Sequence, residues 1–401
     1  MLNYADGDKA PGPLDGIRVI DLGRYQAGPR CGLVFARLGA DVIKVEPPGR
    51  GDESRGNGPF VRGQSAYWVQ YNSGKRSLSL NLRTAEGKEI LRDLIEVSDV
   101  LIQNFRPGTI DKMGFGYEVI SEINPGIVMV NISAYGQYGP LSDRIGFDQI
   151  GQALSGLMSL NGDPNGGPMM VPFPLVDRIT ALHGAISALS ALYERSISGK
   201  GQAIDVCLAD SGYTTNEIPI SAYLGDGQIP ERTGNRVHLA DMYETRDGYV
   251  YLANFASDNI FGRVADVIGH PGWKNDARFA SRDARTANVQ IVEKELVEWF
   301  LTRSSEDTLQ ILGEAGVPAS VVNDTRNAAN EPHMQEREVM LEVPDPVSGN
   351  IHVSGRVFKF SRSGSPVGTA PTVGEHTDEI LSDLLQMGDE KINEIRRAGI
   401  V

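Results

Sequence analysis

The sequence predicts an α/β protein with a large Rossmann-like domain containing a parallel sheet and a smaller α+β domain. Three observations support this prediction. The chain has 401 residues, more than a single hydrophobic core usually serves. Short apolar runs alternate with helical patterns through the first half, which is typical of a parallel sheet covered by helices. Beyond roughly residue 225 this alternation gives way to a hairpin pattern followed by helical stretches.

Five short runs are predicted to be the strands of the parallel sheet. Each is a nearly continuous apolar segment, as expected for strands buried on both faces. The predicted strands are Ile17–Leu22, Val42–Val45, Val100–Gln103, Ile127–Ile132 and Ala203–Val206.

Helices are predicted between these runs. Pro29–Leu38 begins with a proline, which the first helical turn tolerates, and ends before Gly39. Thr84–Val97 and Thr109–Ile123 carry start and stop signals of the same kind. A longer helix is predicted after Asp177 and ends at Gly199. Its evidence is an apolar stripe at spacings of three and four, formed by Ile179, Leu182, Ile186, Leu189 and Tyr193.

The second half is predicted to hold the smaller domain and a tail. Tyr243–Asn254 is predicted to be a hairpin that turns at Asp247-Gly248, and helices are predicted from Asn259, Val289 and Asp307. The predicted spans are Asn259–Ile268, Val289–Thr302 and Asp307–Gly313, then strands Ile351–Val353 and Val357–Phe360 and a helix from Thr377. The expected division is residues 1–220 for the first part of the large domain, 221–330 for the small domain and 331–401 for a segment that returns to the large domain.

Composition limits the class of function. The net charge of -14 argues against nucleic-acid binding, yet Arg24–Lys112 holds 14 basic against 10 acidic residues, an asymmetry that suits an anionic ligand. The N-terminus lacks the basic and apolar regions of a secretory signal, and no run of about 18 apolar residues predicts a membrane span. Two cysteines form no disulfide framework. We expect a cytoplasmic protein with no membrane or nucleic-acid partner.

Common catalytic motifs are missing. The sequence has no GxxxxGK[ST] or GxGxxG loop for nucleotides, and no HExxH, CxxC or GxSxG motif. The six histidines show no metal-ligand spacing, so neither a metal site nor serine-hydrolase chemistry is expected. Among the polar residues of the predicted small domain, Arg236, His238, Tyr243 and Asp258, the sequence does not choose a substrate contact.

A series of segments in fixed order resembles the family III CoA-transferases, the group that contains formyl-CoA:oxalate and carnitine CoA-transferases. The resemblance spans nearly the whole chain. Its segments are PLDGIRVIDL from Pro13, QAGP from Gln26, LGADVIKVE from Leu38, GRGDESR from Gly49, NSGKRS from Asn72, NFRPG from Asn104, GFD from Gly146 with Gln152-Ala153, PLVD ending at Asp177, GKGQ from Gly199 and APTVGEHT from Ala370.

The resemblance implies that Asp177 is the catalytic nucleophile, forming an acyl anhydride and then a CoA thioester on its carboxyl group. Covalent catalysis of this kind divides one difficult exchange into easier steps. The residues alone indicate a helix N-cap, because Asp177 immediately precedes the apolar helix. In that position amide donors and the helix dipole would favour the ionised carboxylate by about 0.3–1 kcal/mol.

The resemblance also implies that coenzyme A is bound as a substrate, with no permanently bound cofactor. The implied CoA-binding positions are Gln26, Ala27, Leu80, Arg83, Asn104, Phe105, Arg106 and Lys112. Lys75 and Arg76 are further cationic candidates for binding CoA. Basic side chains suit the phosphates of CoA. Gln26 is also a catalytic candidate, because its backbone amide, or that of Ala27, is placed to donate to the oxyanion formed when Asp177 attacks. An arginine that some relatives carry after the IKxE run is Pro47 here, and Arg50 is the candidate to replace it.

Shielding of the reactive aspartate is expected to differ from that in some relatives. Those relatives carry a glycine tetrad in the smaller domain, and the corresponding stretch here, Asn254–Phe261, lacks it. The glycine-rich segment Asn161–Gly167 suits either a mobile loop over the site or an ordinary turn.

Alternative functions share the same fold. The α-methylacyl-CoA racemases are similar over most of the chain, but they place a histidine where this sequence has Phe147, which cannot exchange a proton. Intramolecular CoA transfer and a non-catalytic CoA-binding role also remain open. The expected partners are an acyl-CoA and a small carboxylic acid. The resemblance further implies a homodimer of two interlocked rings.

Overall fold

The computed structural model describes residues 10–236, 239–253 and 257–401. Contacts between residues divide the chain into two compact units. The large unit comprises the described residues up to Ser159, then Met170–Ile229 and Pro332–Val401. The small unit comprises Leu160–Met169 and the described part of Pro230–Glu331.

The large unit is built on a six-stranded sheet in the order β5-β2-β1-β6-β7-β8, with every neighbouring pair parallel. The strands up to β8 are β1 (Arg18–Asp21), β2 (Asp41–Glu46), β3 (Phe60–Val61), β4 (Gln64–Ser65), β5 (Arg76–Ser79), β6 (Val100–Gln103), β7 (Val128–Ser133) and β8 (Ala203–Cys207). β3 and β4 form a separate small hairpin. The predicted α/β class is confirmed.

Helices connect these strands. They are α1 (Ala27–Arg37), α2 (Ala66–Asn72), α3 (Ala85–Glu96), α4 (Thr109–Met113), α5 (Tyr117–Ile123), α6 (Asp148–Leu154), α7 (Leu157–Leu160), α8 (Leu175–Ser198), α9 (Leu208–Thr215) and α10 (Glu217–Asp226), with a 3₁₀ turn at Glu53–Gly56. The predicted single helix over Thr109–Ile123 is wrong. It divides at Gly114, whose φ of 89° is a left-handed conformation that ends α4.

Helix α8 has an unusual distribution of side chains. Its buried face consists mainly of small residues such as Ala181, Gly184 and Ala185, which allow close packing against the sheet. The predicted apolar stripe lies largely on the other face, where Ile186 is 60% and Tyr193 73% exposed. By length and composition α8 alone among the described helices could cross a membrane, and 44% of its apolar window is buried within the protein.

The small unit contains a three-stranded antiparallel sheet in the order β11-β10-β9. Its elements are β9 (Asp241–Glu244), β10 (Tyr249–Leu252), α11 (Asp258–Val267), 3₁₀ turns Pro271–Asn275 and Ala277–Phe279, α12 (Arg282–Ala287), α13 (Val289–Leu301), α14 (Ser305–Glu314), β11 (Ala319–Val321) and α15 (Thr325–Ala329). The predicted hairpin and helices are confirmed, although Asn254 lies outside the described residues.

The C-terminal segment belongs to the large unit. It contains α16 (Pro332–Glu336), the antiparallel pair β12 (Met340–Asp345) and β13 (Gly349–Ser354), α17 (Thr377–Glu379), a π-helical turn Ile380–Leu384 and α18 (Asp389–Arg397). The predicted strand Val357–Phe360 is wrong. The backbone amides of Gly355 and Arg356 still donate to Val339 and Glu338, but residues 357–360 form no helix or strand and Val357 is 67% exposed.

Two hydrophobic cores cover the two faces of the large sheet. On one face α3 and the C-terminal helices contribute Leu91, Leu94, Ile380 and Ile395. On the other face α1 and α8 pack together, with Cys31 among Ala181 and Ala185. Both α1 and α8 therefore begin at the edge of the sheet where the parallel strands end.

Candidate active site

The sheet order places a ligand crevice between β1 and β6. The chain runs from β1 outward through β2 to β5, then returns to β6 and continues outward through β7 to β8. Open α/β sheets bind ligands at such a reversal, outside the carboxyl ends of the strands. The loops after β1 and β6 are joined there, because the side chain of Asn104 accepts a hydrogen bond from the Arg24 amide at 2.7 Å and donates one to the Arg24 carbonyl at 2.8 Å.

Two adjoining cavities lie at this reversal, with volumes of about 650 and 400 Å³. Arg24, Phe105 and Thr109 line both. The larger cavity extends over the ends of β2 and β5, where Leu80 and Arg83 line it. The smaller cavity is lined by Gln26, Ala27 and Asp177 at the starts of α1 and α8. The larger cavity has both basic and acidic residues in its lining, whereas Asp177 is the single acidic residue among the described ones that line the smaller cavity.

Asp177 is the third residue of α8 and is not its N-cap, so that prediction is wrong. The cap position is occupied by Pro174, which offers no side-chain hydrogen bond. The Asp177 amide donates instead to Oδ1 of Asp148 at 2.9 Å. Asp148 is buried and its Oδ2 accepts from Gln152 Nε2 at 2.6 Å, so α6 holds the beginning of α8 in place.

The Asp177 carboxyl group is partly buried, and among the described residues it accepts no hydrogen bond and forms no ion pair. Burial, reinforced by the negative charge of Asp148, raises the pKa of Asp177 to about 7. This is the opposite of the shift expected for a capping aspartate.

Gln26 and Tyr67 lie beside this carboxyl group. Gln26 is buried, and its Nε2 donates to the carbonyl oxygen of Pro174 at 3.4 Å. The Tyr67 hydroxyl donates to Gln26 Oε1 at 3.3 Å. Burial raises the pKa of Tyr67, with the negative charge of Asp177 among the further causes. Sequence reasoning missed Tyr67, because only the contact between α1 and α2 brings it to the site.

Most of the predicted CoA-binding residues line the two cavities. Leu80 and Arg83 line the larger one, Phe105 lines both, and Gln26, Ala27, Asn104 and Arg106 line the smaller one. The Arg83 and Arg106 side chains are exposed and have no ion-pair partner among the described residues. Arg50, with a side chain that is 74% exposed, also lines the larger cavity beside Pro47. Arg144, which sequence reasoning missed, lines the smaller one.

Lys75 is not placed to contact CoA, which corrects its assignment. Its ammonium group is buried and donates to Asp21 Oδ2 at 2.7 Å, the Pro29 carbonyl at 2.7 Å and Asn72 Oδ1 at 3.0 Å. Since an ammonium group has three donors, none remains for a ligand. Burial lowers the pKa of Lys75 to about 8, although Asp21 opposes that shift.

Two further cationic candidates also lie away from the cavities. Arg76 is at the amino end of β5, where it pairs with Asp41 at 2.6 Å and Glu379 at 3.0 Å. This end of a parallel strand is opposite to the crevice, so the CoA role of Arg76 is corrected as well. Lys112 is exposed on α4 and lines neither cavity, whereas its neighbour Met113 lines the larger one.

Most of the polar residues of the small unit that the sequence offered as substrate contacts have partners within the protein. Arg236 pairs with Asp241 at 3.0 Å and with Glu293. Tyr243 is buried and stacks on Phe300 at 4.7 Å, and Asp258 pairs with Arg285 at 2.5 Å. His238 and residues 254–256 of the tetrad-equivalent stretch lie outside the described residues. Within the described ranges no group of three or more His, Cys, Asp or Glu could hold a metal ion.

Comparisons with known proteins agree on one family. The sequence model described as CoA-transferase family III matches residues 14–377. The chain is 35% identical to succinyl-CoA--D-citramalate CoA-transferase of Chloroflexus aurantiacus, over 96% of this chain and 97% of the relative. It is 34% identical to the beta subunit of succinyl-CoA--L-malate CoA-transferase of the same organism, over 99% and 100%. A crystal structure of a CAIB/BAIF family protein from Brucella suis superposes with a TM-score of 0.83 at 34% identity, covering 93% of this chain and 100% of that one.

Proposed function

The chain belongs to CoA-transferase family III, and from that premise we propose that it moves CoA from an acyl-CoA to a carboxylic acid through covalent intermediates on Asp177. The observation that carries this proposal is the state of the Asp177 carboxyl group. It lines the cavity at the sheet reversal, its pKa is raised to about 7, and no described cation neutralises it. A partly desolvated carboxylate without a partner is a better nucleophile than one held in an ion pair.

The proposed reaction proceeds in four balanced steps. An oxygen of the Asp177 carboxylate attacks the thioester carbonyl, which forms a mixed anhydride and expels CoA thiolate. The thiolate then attacks the Asp177 carbonyl carbon, which forms an aspartyl-CoA thioester and releases the donor acid. The acceptor carboxylate attacks this thioester and expels the thiolate again, forming a second anhydride. Attack of the thiolate on the acceptor acyl carbon releases the new acyl-CoA and regenerates Asp177.

The oxyanion of each tetrahedral intermediate needs hydrogen-bond donors. Ala27 is the first residue of α1 and lines the same cavity as Asp177, so we propose that the Gln26 or Ala27 amide donates to this oxyanion. The first amides of a helix have no intrahelical acceptor and lie at its positive end. The buried Gln26 side chain, bonded to Pro174 and Tyr67, fixes the start of α1 relative to the start of α8.

The two cavities together offer arginine side chains and apolar surface for binding CoA. The exposed guanidinium groups of Arg50, Arg83 and Arg106 line their walls, and guanidinium groups bind phosphate through charge-assisted hydrogen bonds. Leu80 and Phe105 supply apolar surface beside them. We propose that the nucleotide part of CoA occupies the larger cavity and the thioester the smaller one, next to Asp177.

Proton-transfer chemistry of the racemase kind is less well supported. Phe147 lines the smaller cavity and is 61% exposed, in the position where a racemase would need a histidine. A purely non-catalytic role would assign Asp177 to helix capping, which it does not perform. Intramolecular transfer uses the same residues and steps as the proposed reaction.

We propose that the protein is a homodimer, as the resemblance to the family implies. Support comes from large apolar side chains left exposed on α8 and α10 of the large unit. Tyr193 is 73%, Ile197 74%, Ile218 78% and Leu224 73% exposed. Exposed apolar patches of this kind mark protein interfaces. Light scattering is expected to give twice 43.4 kDa, and a stable monomer would contradict the assembly.

Trapping of the intermediates tests the proposed function. Succinyl-CoA, the donor in the names of two relatives, is incubated with the protein and then with hydroxylamine. The expected product is a hydroxamate at Asp177, located by peptide mass spectrometry, and none in Asp177→Ala. Asp143→Asn, which removes an exposed carboxylate adjacent in sequence to Arg144 of the smaller cavity, is the matched control and is expected to be trapped like the wild type. Turnover in Asp177→Ala would contradict the mechanism.

A further inference from the structure

Two arginines in the first turns of α1 and α8 lack the partners that a guanidinium group usually has. Arg30 is the fourth residue of α1, and Arg178 is the fourth residue of α8, directly after Asp177. Across the described ranges, neither side chain makes a hydrogen bond or an ion pair. The Nε atom of each is buried without an acceptor. We call Arg30 and Arg178 the arginine pair.

The fold brings the arginine pair together. Helices α1 and α8 pack side by side, so closely that a Cβ atom at Gly184 would lie 3.3 Å from Cys31 Sγ. Both helices begin at the carboxyl edge of the sheet, so both positive ends lie there. Burial and the charge of Arg178 lower the pKa of Arg30. Two like charges at two positive helix ends are unfavourable unless an anion compensates them.

Aromatic side chains surround the arginine pair and connect it to the site. The Arg178 guanidinium lies 5.5 Å from the Phe173 ring. Tyr71, which lies close enough to Arg30 to influence its pKa, contacts Tyr67 edge to face at 5.0 Å. Tyr67 in turn bonds to Gln26. The linings of the two cavities assigned to CoA do not include the arginine pair.

We propose that the arginine pair binds the second carboxylate of a dicarboxylic acid whose first carboxyl group reacts at Asp177. This inference rests on the proposed function and specifies its substrate class. Guanidinium groups match carboxylates in geometry and charge, and Arg178 is adjacent to the nucleophile on the same helix. The names of two relatives contain succinyl, citramalate and malate, all of them dicarboxylic.

Discrimination between a dicarboxylic and a monocarboxylic acceptor tests this proposal. Succinate and butyrate have the same chain length and differ in one carboxylate. With succinyl-CoA as donor and a carbon-14-labelled acceptor in every assay, so that exchange of succinate into succinyl-CoA is also measured, Arg30→Met and Arg178→Met are expected to lower kcat/KM for succinate about 10–100-fold while that for butyrate changes little. Arg30→Lys is expected to retain part of the preference for succinate. Arg397→Met, which removes an exposed arginine of α18, is the matched control and is expected to leave kcat/KM for both acids unchanged.

Equal losses for both acids, or no loss for succinate, would overturn the proposal. Loss of both activities together with dissociation to monomers would also overturn it, since the arginine pair would then bind a carboxylate of a second copy. Calorimetric titration with succinate in the absence of CoA separates this proposal from the proposed function. Binding that is weakened by both substitutions supports the arginine pair even if the wild type transfers no CoA. Transfer of CoA by the variants with unchanged discrimination between succinate and butyrate would contradict the role of the arginine pair but not the proposed function.

Discussion

Two groups of buried charges lie close to the same edge of the large sheet, and they differ in how they are neutralised. The first, which we call the interior ion cluster, comprises Asp21, Lys44, Asp52 and Lys75. Lys75 pairs with Asp21 at 2.7 Å and Lys44 with Asp52 at 3.0 Å, and all four side chains are buried. The second is the Asp177 carboxyl group, which has a raised pKa and no cationic partner within the described ranges.

This difference in neutralisation distinguishes the structural charges of the interior ion cluster from the proposed nucleophile Asp177. Each charge of the interior ion cluster lies within 3.0 Å of an opposite charge. Burial opposes the charge on Lys44, but the carboxylates of Asp21, Asp52 and Glu46 hold its pKa above the ordinary value. Asp177 has burial and a like charge without this compensation, which is typical of functional sites.

Substitution of Asp177 is expected to have the largest effect. Asp177→Asn removes the nucleophile but retains the size of the side chain, so the transfer rate is expected to fall by at least about 10³-fold. Steady-state rates with succinyl-CoA measure the loss, and circular dichroism verifies that the variant is folded. A rate within tenfold of the wild type would place the chemistry elsewhere.

Substitution of Lys75 is expected to affect stability. Lys75→Met leaves Asp21 buried without its cation, which is expected to reduce the free energy of unfolding by about 3–5 kcal/mol. The KM for acyl-CoA of the folded variant is expected to stay near the wild-type value. Lys391→Met, which removes an exposed cation paired with Glu86, is the matched control with a change below about 1 kcal/mol. Denaturant titration compares the two variants, and equal losses would refute the distinction.

Arginines at the cavity wall are expected to affect CoA binding without affecting stability. Arg83→Ala removes an unpaired phosphate-binding candidate and is expected to raise the KM for acyl-CoA about tenfold. Arg76→Ala breaks the ion pairs with Asp41 and Glu379 and is expected to lower stability while leaving KM unchanged. The opposite pattern in the two variants would show that the cavity assignment is wrong.

The dependence of kcat/KM on pH tests the smallest expected effect, which is the influence of Asp148 on the pKa of Asp177. The ionised carboxylate is the nucleophile, so kcat/KM is expected to fall as the pH decreases through about 7, the pKa of Asp177. Asp148→Asn removes the nearby negative charge, so this pKa decreases and the acidic limb moves to lower pH. The ratio of the rate at pH 6 to the rate at pH 8 is expected to rise. A shift of the limb to higher pH would contradict this electrostatic account.

Local pattern in the sequence predicted much of the fold. β6 agrees residue for residue, and β1, β2, β7 and β8 agree to within a residue at each end, because their apolar runs are continuous. β5 was missed because Leu78 is its only large apolar residue, lying between the buried serines Ser77 and Ser79. The helix at α8 was predicted, although it begins at Leu175 and not after Asp177, and periodicity alone did not reveal that small residues form its buried face.

The site was less predictable, because its properties depend on contacts distant in sequence. Family resemblance pointed to Asp177, whereas its raised pKa depends on burial and on Asp148, 29 residues earlier. Lys75 was assigned to CoA because nothing local reveals its pairing with Asp21, 54 residues away. The arginine pair likewise becomes visible only when α1 and α8 are packed together.

The most direct test of the account follows oxygen from the acceptor into the enzyme. In the proposed steps, the acceptor carboxylate leaves one of its oxygen atoms in the Asp177 carboxyl group at each turnover. With an acceptor acid labelled with oxygen-18 and succinyl-CoA as donor, peptide mass spectrometry is expected to find the label at Asp177 and at no other carboxyl group. Continued transfer with no label at Asp177 would contradict the covalent mechanism.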